Sequence, residues 1–394
     1  MRRLTTARLA MRAAACLAGV AMAGCAASAS SMASAASLVP PAACGAWPGW
    51  ESFRDQYIEA GRVVDPATAQ RYTTSEGQSY ALFFALVAND RAGFDRVLHW
   101  TEENLAAGDL GARLPGWQWG QRPDRGWGII DTNSAADADL WIAYSLLEAA
   151  RLWKHQPYAD KARLLAERIA HEETAEVSGL GRVLLPGAQG FVPAPGAARL
   201  NPSYLPLQLL RRMDASYPGS AWQGVLKSSL EVLLRSAPLG YSPDWAQVRA
   251  DGSFGADPQS KGAGSYDAIR VYLWTGMLAS DDPARALLLQ QFQPMLRQTA
   301  TSGVPPESVD TRSGKVSGDG PVGFSAALLP LLATAHDTAA AQQQRQRVAA
   351  LAPLSRKDNY YDQVLTLFGS GWDAARFQFR HDGSLQVAWK CATK

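Results

Sequence analysis

Apolar residues recur with helical spacing in twelve stretches of this chain, at about 47–60, 75–88, 93–106, 135–154, 158–173, 203–213, 220–235, 266–278, 284–298, 322–335, 337–351 and 360–368. Turn residues separate them. No strand-rich region appears, and strands do not alternate with helices, so the pattern points to an all-α architecture. Helices in successive pairs suit a closed toroid of inner and outer layers, each helix packing an apolar face on its neighbours. Two α domains or an open α-solenoid would satisfy the same periodicity. A short hairpin is expected near Gly181 to Phe191, where Gly and Pro break up apolar residues. Residues 241–265 form a longer irregular segment rich in Asp, Gly and Ser, the kind of loop that carries binding residues over a rigid scaffold.

The 394 residues allow one large domain or two ordinary ones, and 47% hydrophobic content supplies a sizeable core. With 38 basic and 36 acidic residues the net charge is only +2, which argues against nucleic acid or an anionic membrane as the main partner. The amino terminus reads as an export signal over residues 1–25. Arg2, Arg3 and Arg8 precede a short apolar run, and small residues follow. Met22-Ala-Gly-Cys25 resembles a lipoprotein site, which would place a lipid anchor on Cys25; cleavage between Cys25 and Cys44 is the other reading. Either way a periplasmic or secreted protein is expected. Residues 26–43, rich in Ala, Ser and Pro, read as a tether or a cleaved remainder. Cys44 and Cys391 remain near the two ends of the exported chain; an oxidising compartment allows a disulfide between them, or leaves two free thiols.

Three polar segments open apolar helical runs and carry acidic residues. In Thr73-Thr-Ser-Glu-Gly-Gln-Ser-Tyr80, Thr73 and Glu76 match a capping box, and Leu82, Phe83 and Leu86 continue a buried face. In Asn133-Ser-Ala-Ala-Asp-Ala-Asp139, Asn133 or Ser134 caps the helix. Asp137 and Asp139 fall in its first turns, on different faces. In Ser265-Tyr-Asp-Ala-Ile-Arg270, Ser265 caps, Asp267 sits at the helix start and Arg270 lies one turn on. One acidic residue at a helix start is ordinary local electrostatics. Three of them on inner helices would gather carboxylates around one cleft. Paired carboxylates suit glycosidic hydrolysis, in which one protonates the leaving oxygen and the other attacks the sugar or activates water. A helix amino terminus favours the charged form, so Glu76 as acid would need burial or a neighbour such as Asp137.

Gly116-Trp-Gln-Trp-Gly120 and Gly126-Trp127 place Trp117, Trp119 and Trp127 in one short connection, where indole faces could support sugar rings. Tyr204 and Tyr266 are further groove candidates. There is no Gly-x-Ser-x-Gly elbow, no His-Glu-x-x-His and no phosphate-binding glycine loop, and the five histidines are scattered.

Together these segments, with Asn201-Pro-Ser-Tyr204 and Gly320-Pro-Val-Gly-Phe-Ser325, resemble glycoside hydrolase family 8, and within it the periplasmic cellulases of bacterial cellulose synthase operons. The resemblance runs from about Cys44 to the carboxyl terminus, so it implies one catalytic domain over 44–394. It implies an (α/α)6 barrel that hydrolyses β-1,4-glucan with inversion, Glu76 as acid and Asp267 as base. Asp137 would bind and distort the central sugar, and Asp139 and Arg270 would flank it. Ala136 departs from the Ser or Thr that the family pattern carries there. The resemblance also implies a role in cellulose production, trimming or releasing nascent glucan, in association with the cellulose synthase complex. No metal or organic cofactor is needed for such chemistry. Two other readings fit the same residues: a non-catalytic polysaccharide-binding scaffold, and a xylan or chitosan hydrolase.

Overall fold

The computed structural model describes residues 45–67, 69–351 and 360–390, all within one unit, Val39–Lys394. The export signal, the 26–43 tether, Cys25 and the Cys44–Cys391 pair lie outside the described residues.

Thirteen α-helices are present among them: α1 Pro48–Tyr57, α2 Ser75–Val87, α3 Arg91–Leu105, α4 Ala136–Trp153, α5 Gln156–Glu172, α6 Leu207–Ser216 and α7 Trp222–Arg235. There follow α8 Ala268–Gly276, α9 Arg285–Gln291, α10 Gln293–Ser302, α11 Val322–Thr334, α12 Thr338–Leu351 and α13 Tyr360–Asp373. Helices α9 and α10 replace the single helix expected over 284–298. Pro294 lacks an N–H and fits only a first turn, so the chain breaks at Phe292 and restarts.

Burial sorts the helices into two layers. Every residue of α8 is buried, as is every residue of α2 from Gly77 onward and nearly all of α11. A helix apolar on all sides belongs inside. By contrast α5 buries only Tyr158, Ala162, Leu165, Ala166 and Ile169, one stripe at helical spacing. The expectation of one apolar face per helix therefore holds for the outer layer and not for the inner one.

The inner helices pack in the order α2, α4, α6, α8, α11, α13. Phe368 of α13 closes the ring by stacking on Phe83 and meeting Phe84 in an edge contact, both on α2, at centroid distances of 5.5 and 4.6 Å. With the outer partners α3, α5, α7, α9–α10, α12 and α1, this is an (α/α)6 barrel. Neighbouring inner helices approach closely. A Cβ at Gly369 of α13 would lie 1.8 Å from the Ala326 carbonyl oxygen of α11, so only glycine fits there.

Short antiparallel ribbons fill the connections. Three of them are three-stranded, and each includes the strand that leads into a polar helix start. They are 73–74 with 118–121 and 127–131, 198–200 with 246–248 and 254–256, and 263–264 with 306–310 and 315–319. The hairpin expected over 181–191 is instead Thr174–Val177 paired with Gly181–Leu184. Residues 186–189 lean on the start of α4, where the Ala136 N–H donates to the Pro186 carbonyl at 3.0 Å. Eleven residues along α4 from Asp137, roughly 16 Å, the buried Glu148 carboxylate ties in the final ribbon, Phe377–Phe379 paired with Leu385–Val387. It accepts from Arg212 Nε (2.5 Å), Arg151 Nε (3.0 Å) and the Leu385 N–H (2.8 Å).

Candidate active site

The strand Thr73–Thr74 delivers Glu76 to the first turn of α2. Thr74, not Thr73, is the cap; its hydroxyl accepts from the Gly77 N–H at 3.1 Å. Thr73 faces inward and donates to the Val63 carbonyl at 2.6 Å. With the cap moved by one residue Glu76 loses the capping-box position, and its carboxylate is left for other partners.

That partner is Arg270, on the first turn of α8 and only 3% exposed. Its Nη1 donates to Glu76 Oε1 at 2.5 Å, and its Nη2 donates to Asp267 Oδ1 at 2.9 Å and to Ser203 Oγ at 3.0 Å. Asp137 Oδ2 lies 4.0 Å from the same Nη2. One guanidinium thus brings together carboxylates from α2, α4 and the start of α8. Because its donors form a rigid planar fork, the Glu76 and Asp267 oxygens it holds lie within about 8 Å of each other. Ser203 is set by the Asn201-Pro-Ser-Tyr turn, in which Asn201 Oδ1 accepts from the Ser203 N–H (3.0 Å) and hydroxyl (2.7 Å). Burial opposes the Arg270 charge, but Glu76 and its other neighbours outweigh that and hold the guanidinium above its ordinary value.

Glu76 and Asp267 keep about a third of their side chains open, 28% and 32%, and line a cleft of about 370 Å³. Asp137 is different. It is 2% exposed, and only its Oδ1 accepts a hydrogen bond, from the Ala138 N–H at 2.8 Å. Burial and then the Glu76 charge push Asp137 up to about 8, so its carboxyl is largely neutral at pH 7.

The structure redistributes the other expected site residues. Asp139 is fully buried and faces away from the cleft toward Glu173 of the 172–174 turn, itself bonded to Ser134 Oγ at 2.5 Å. Burial raises both acids, Glu173 to about 8 and Asp139 well above its ordinary range, so the pair retains a proton at neutral pH. Asp139 is thus an internal buttress and not a substrate contact. The Ser134 hydroxyl, expected to cap α4, instead donates to Glu173 and accepts from the Ala188 N–H at 3.0 Å; Ala135 occupies the cap position.

Of the aromatic candidates, Tyr266 lines the cleft, 47% exposed, with its hydroxyl donating to Glu307 at 3.1 Å. Tyr204 sits beside Arg270, its ring centroid 5.9 Å from the guanidinium carbon. Trp117 anchors by its backbone, accepting from the Ser75 N–H at 2.9 Å. Trp119 and Trp127 stack on each other at 5.4 Å, with the Arg62 guanidinium over both rings. They form one platform at the ribbon edge instead of two separate sugar supports, and 48% of Trp127 stays exposed.

Residues 20–375 match the family described as Glycosyl hydrolases family 8. The chain belongs to glycosyl hydrolase family 8. An endoglucanase of Escherichia coli O157:H7 is 49% identical over 354 residues, covering 89% of this chain and 94% of that protein. An endoglucanase of Xanthomonas axonopodis pv. citri is 46% identical over 358 residues, covering 90% and 93%. Among solved structures, an endo-1,4-D-glucanase from Vibrio fischeri ES114 superposes with a TM-score of 0.85 at 50% identity, covering 87% of this chain and 99% of that one.

Several side chains of this family 8 site escaped the sequence reading. Ser203 lay inside a quoted motif without a role. Tyr361 of α13 lines the cleft and donates to the Tyr266 carbonyl at 2.7 Å. Glu173 sits far in sequence from Asp139, and nothing in its local context marks it.

Proposed function

We propose that this chain is an endo-β-1,4-glucanase, cleaving internal bonds of cellulose with inversion at the anomeric carbon. The reading is carried by one observation: a single buried guanidinium holds Glu76 and Asp267, from two different helix starts, in one open cleft. Glu76 is the general acid and protonates the leaving glycosidic oxygen. Asp267 is the general base and takes a proton from the water that attacks the opposite face. Inversion leaves room for that water when the carboxyls are roughly 6.5–9.5 Å apart, a range compatible with the span of the Arg270 fork. Arg270 sets the separation and balances the negative charge around the reacting sugar. Asp137, largely neutral and with Oδ2 making no hydrogen bond within the protein, offers a hydrogen bond to a hydroxyl of the central sugar. A buried polar atom without a partner costs stability unless a ligand satisfies it. Relatives named endoglucanases, nearly half identical over most of their length, support cellulose over xylan or chitosan.

The test is purified protein on defined cello-, xylo- and chito-oligosaccharides, with product anomers followed by NMR. Internal cleavage of cello-oligosaccharides to α-anomeric products is expected. Initial β-anomeric products, or preferred cleavage of the xylo or chito series, would overturn the proposal.

We further infer that the protein is exported to the periplasm or beyond and acts on glucan made by a cellulose synthase. Support comes from the basic and apolar leader with its candidate lipid site at Cys25, and from the motif resemblance. Fractionation of cells expressing the full chain should place it outside the cytoplasm. Retention in the cytosol would refute this.

A further inference from the structure

We infer that Asp244 is the positioning residue for Asp267, fixing the direction from which that carboxylate reaches the cleft. The inference rests on the reading of Asp267 as general base.

Asp267 itself has little to hold it. Its side chain is about one-third exposed, and its carboxylate bonds to Arg270. Position must therefore come from the backbone. Asp244 Oδ1 accepts three backbone N–H groups there: Ser265 at 2.7 Å, Asp267 at 3.1 Å and Ala268 at 2.8 Å. These are the amides of the base and of residues on either side of it. A charged acceptor makes such bonds roughly twice as strong as a neutral one. The same contacts engage amides that a helix start would otherwise turn toward an anion in the cleft, Asp267 included.

Asp244 is itself held. Its N–H donates to the Ala263 carbonyl at 2.8 Å, and the preceding Ser242 N–H donates to the Tyr272 hydroxyl at 2.9 Å. The two chain segments meet closely enough for this only because residue 264 is glycine. A Cβ at Gly264 would lie 2.1 Å from the Ser242 carbonyl oxygen. On the other side Trp245 stacks on Phe191 at 6.0 Å, with the Arg199 guanidinium 3.8 Å from its ring centroid. The 241–265 segment, expected to be irregular but built around the strands at 246–248, 254–256 and 263–264, thus carries a rigid acceptor to the helix start that bears Asp267.

The experiment is a double-mutant cycle on cellopentaose hydrolysis, with thermal unfolding recorded for every variant. Asp244→Ala should lower kcat about 10- to 100-fold, the scale of a misplaced catalytic group, with KM changed by less than about twofold. Asp244→Asn, which keeps an acceptor oxygen but not the charge, should recover turnover to within about fivefold of wild type. In an Asp267→Asn background Asp244→Ala should cost less than about twofold more, because residues acting as one unit are not additive. Equal losses in both backgrounds, a loss residing in KM, or an Asp244→Asn protein as slow as Asp244→Ala would overturn the inference. Should the alanine protein not fold, Asp244→Ser, too short to reach all three amides, takes its place in the cycle. Wild-type turnover in Asp267→Asn alone would remove the general-base reading instead, so the two failures are distinguishable.

Discussion

Replacing Glu173 by Gln should stabilise this protein at neutral pH and leave it nearly unchanged in acid. Glu173 and Asp139 are buried acids that share protons, with Ser134 bonded to one Glu173 oxygen. Burial raises Glu173 from an ordinary 4.5 to about 8. The sign follows from proton counting. Below pH 4.5 both folded and unfolded forms carry the proton, so Glu173 makes no pH-dependent difference. Between 4.5 and about 8 the unfolded form has lost it while the folded form keeps it, so stability falls as pH rises through that window. At pH 7 the loss amounts to about 3 kcal/mol, and at pH 5 to less than about 1 kcal/mol. Gln offers an oxygen to Ser134 and an N–H to Asp139 without any proton to lose. For a domain of this size 1 kcal/mol moves Tm by between 1 and 2 °C, so the Tm advantage of Glu173→Gln should grow by roughly 4 °C from pH 5 to pH 7. Differential scanning calorimetry of wild type and variant across that range measures it. A gap that stays constant with pH, or one that shrinks as pH rises, would refute the shared-proton account.

Glu76→Gln and Asp267→Asn should each lower kcat by about 10²–10⁴-fold, while calorimetric binding of cellohexaose survives; full turnover in either would reject its assigned role. Arg270→Lys should reduce kcat/KM by about 100-fold, since one ammonium cannot bridge Glu76, Asp267 and Ser203 together; steady-state kinetics on cellopentaose checks this, and near-native rates would show that the fork is dispensable. Glu148→Ala leaves Arg212 without its buried partner and frees the Leu385 N–H. It should cost about 3–5 kcal/mol, seen as a lower denaturant midpoint, with kcat at 25 °C unchanged within twofold because the clamp lies far along α4 from the acids.

Much of the helical frame could be read directly. Segments such as 75–88, 135–154 and 322–335 are long and apolar, and their ends carry turn residues, so each matches an observed helix within about two residues. Where the reading slipped, a local signal competed with a distant one. Asn133, Ser134 and Ser265 are good caps by residue type, yet the start of α4 is satisfied by the Pro186 carbonyl and that of α8 by Asp244. Capping rules see only neighbours in sequence, and both true partners lie more than twenty residues away. The split at Phe292 was available from Pro294 alone. Two steps along a helix turn a side chain by about 200°, so the spacing of Asp137 and Asp139 already set them on different faces; which of the two would meet Glu173 was not legible, because Glu173 lies more than thirty residues away.

By itself the sequence determined the helices, their breaks and the chemistry on offer, because periodicity, proline and residue type act over a few positions. It placed Glu76, Asp137, Asp267 and Arg270 at helix starts. Only the tertiary structure decided that one guanidinium would bind the first and third of these, that Asp137 would be buried and largely neutral, and that Asp139 would turn inward to Glu173. Ring closure is the reason. It brings together residues as far apart as Glu76 and Arg270, and it excludes water unevenly among four similar acids, so that burial, which no local pattern encodes, favours the neutral form of Asp137 and Asp139.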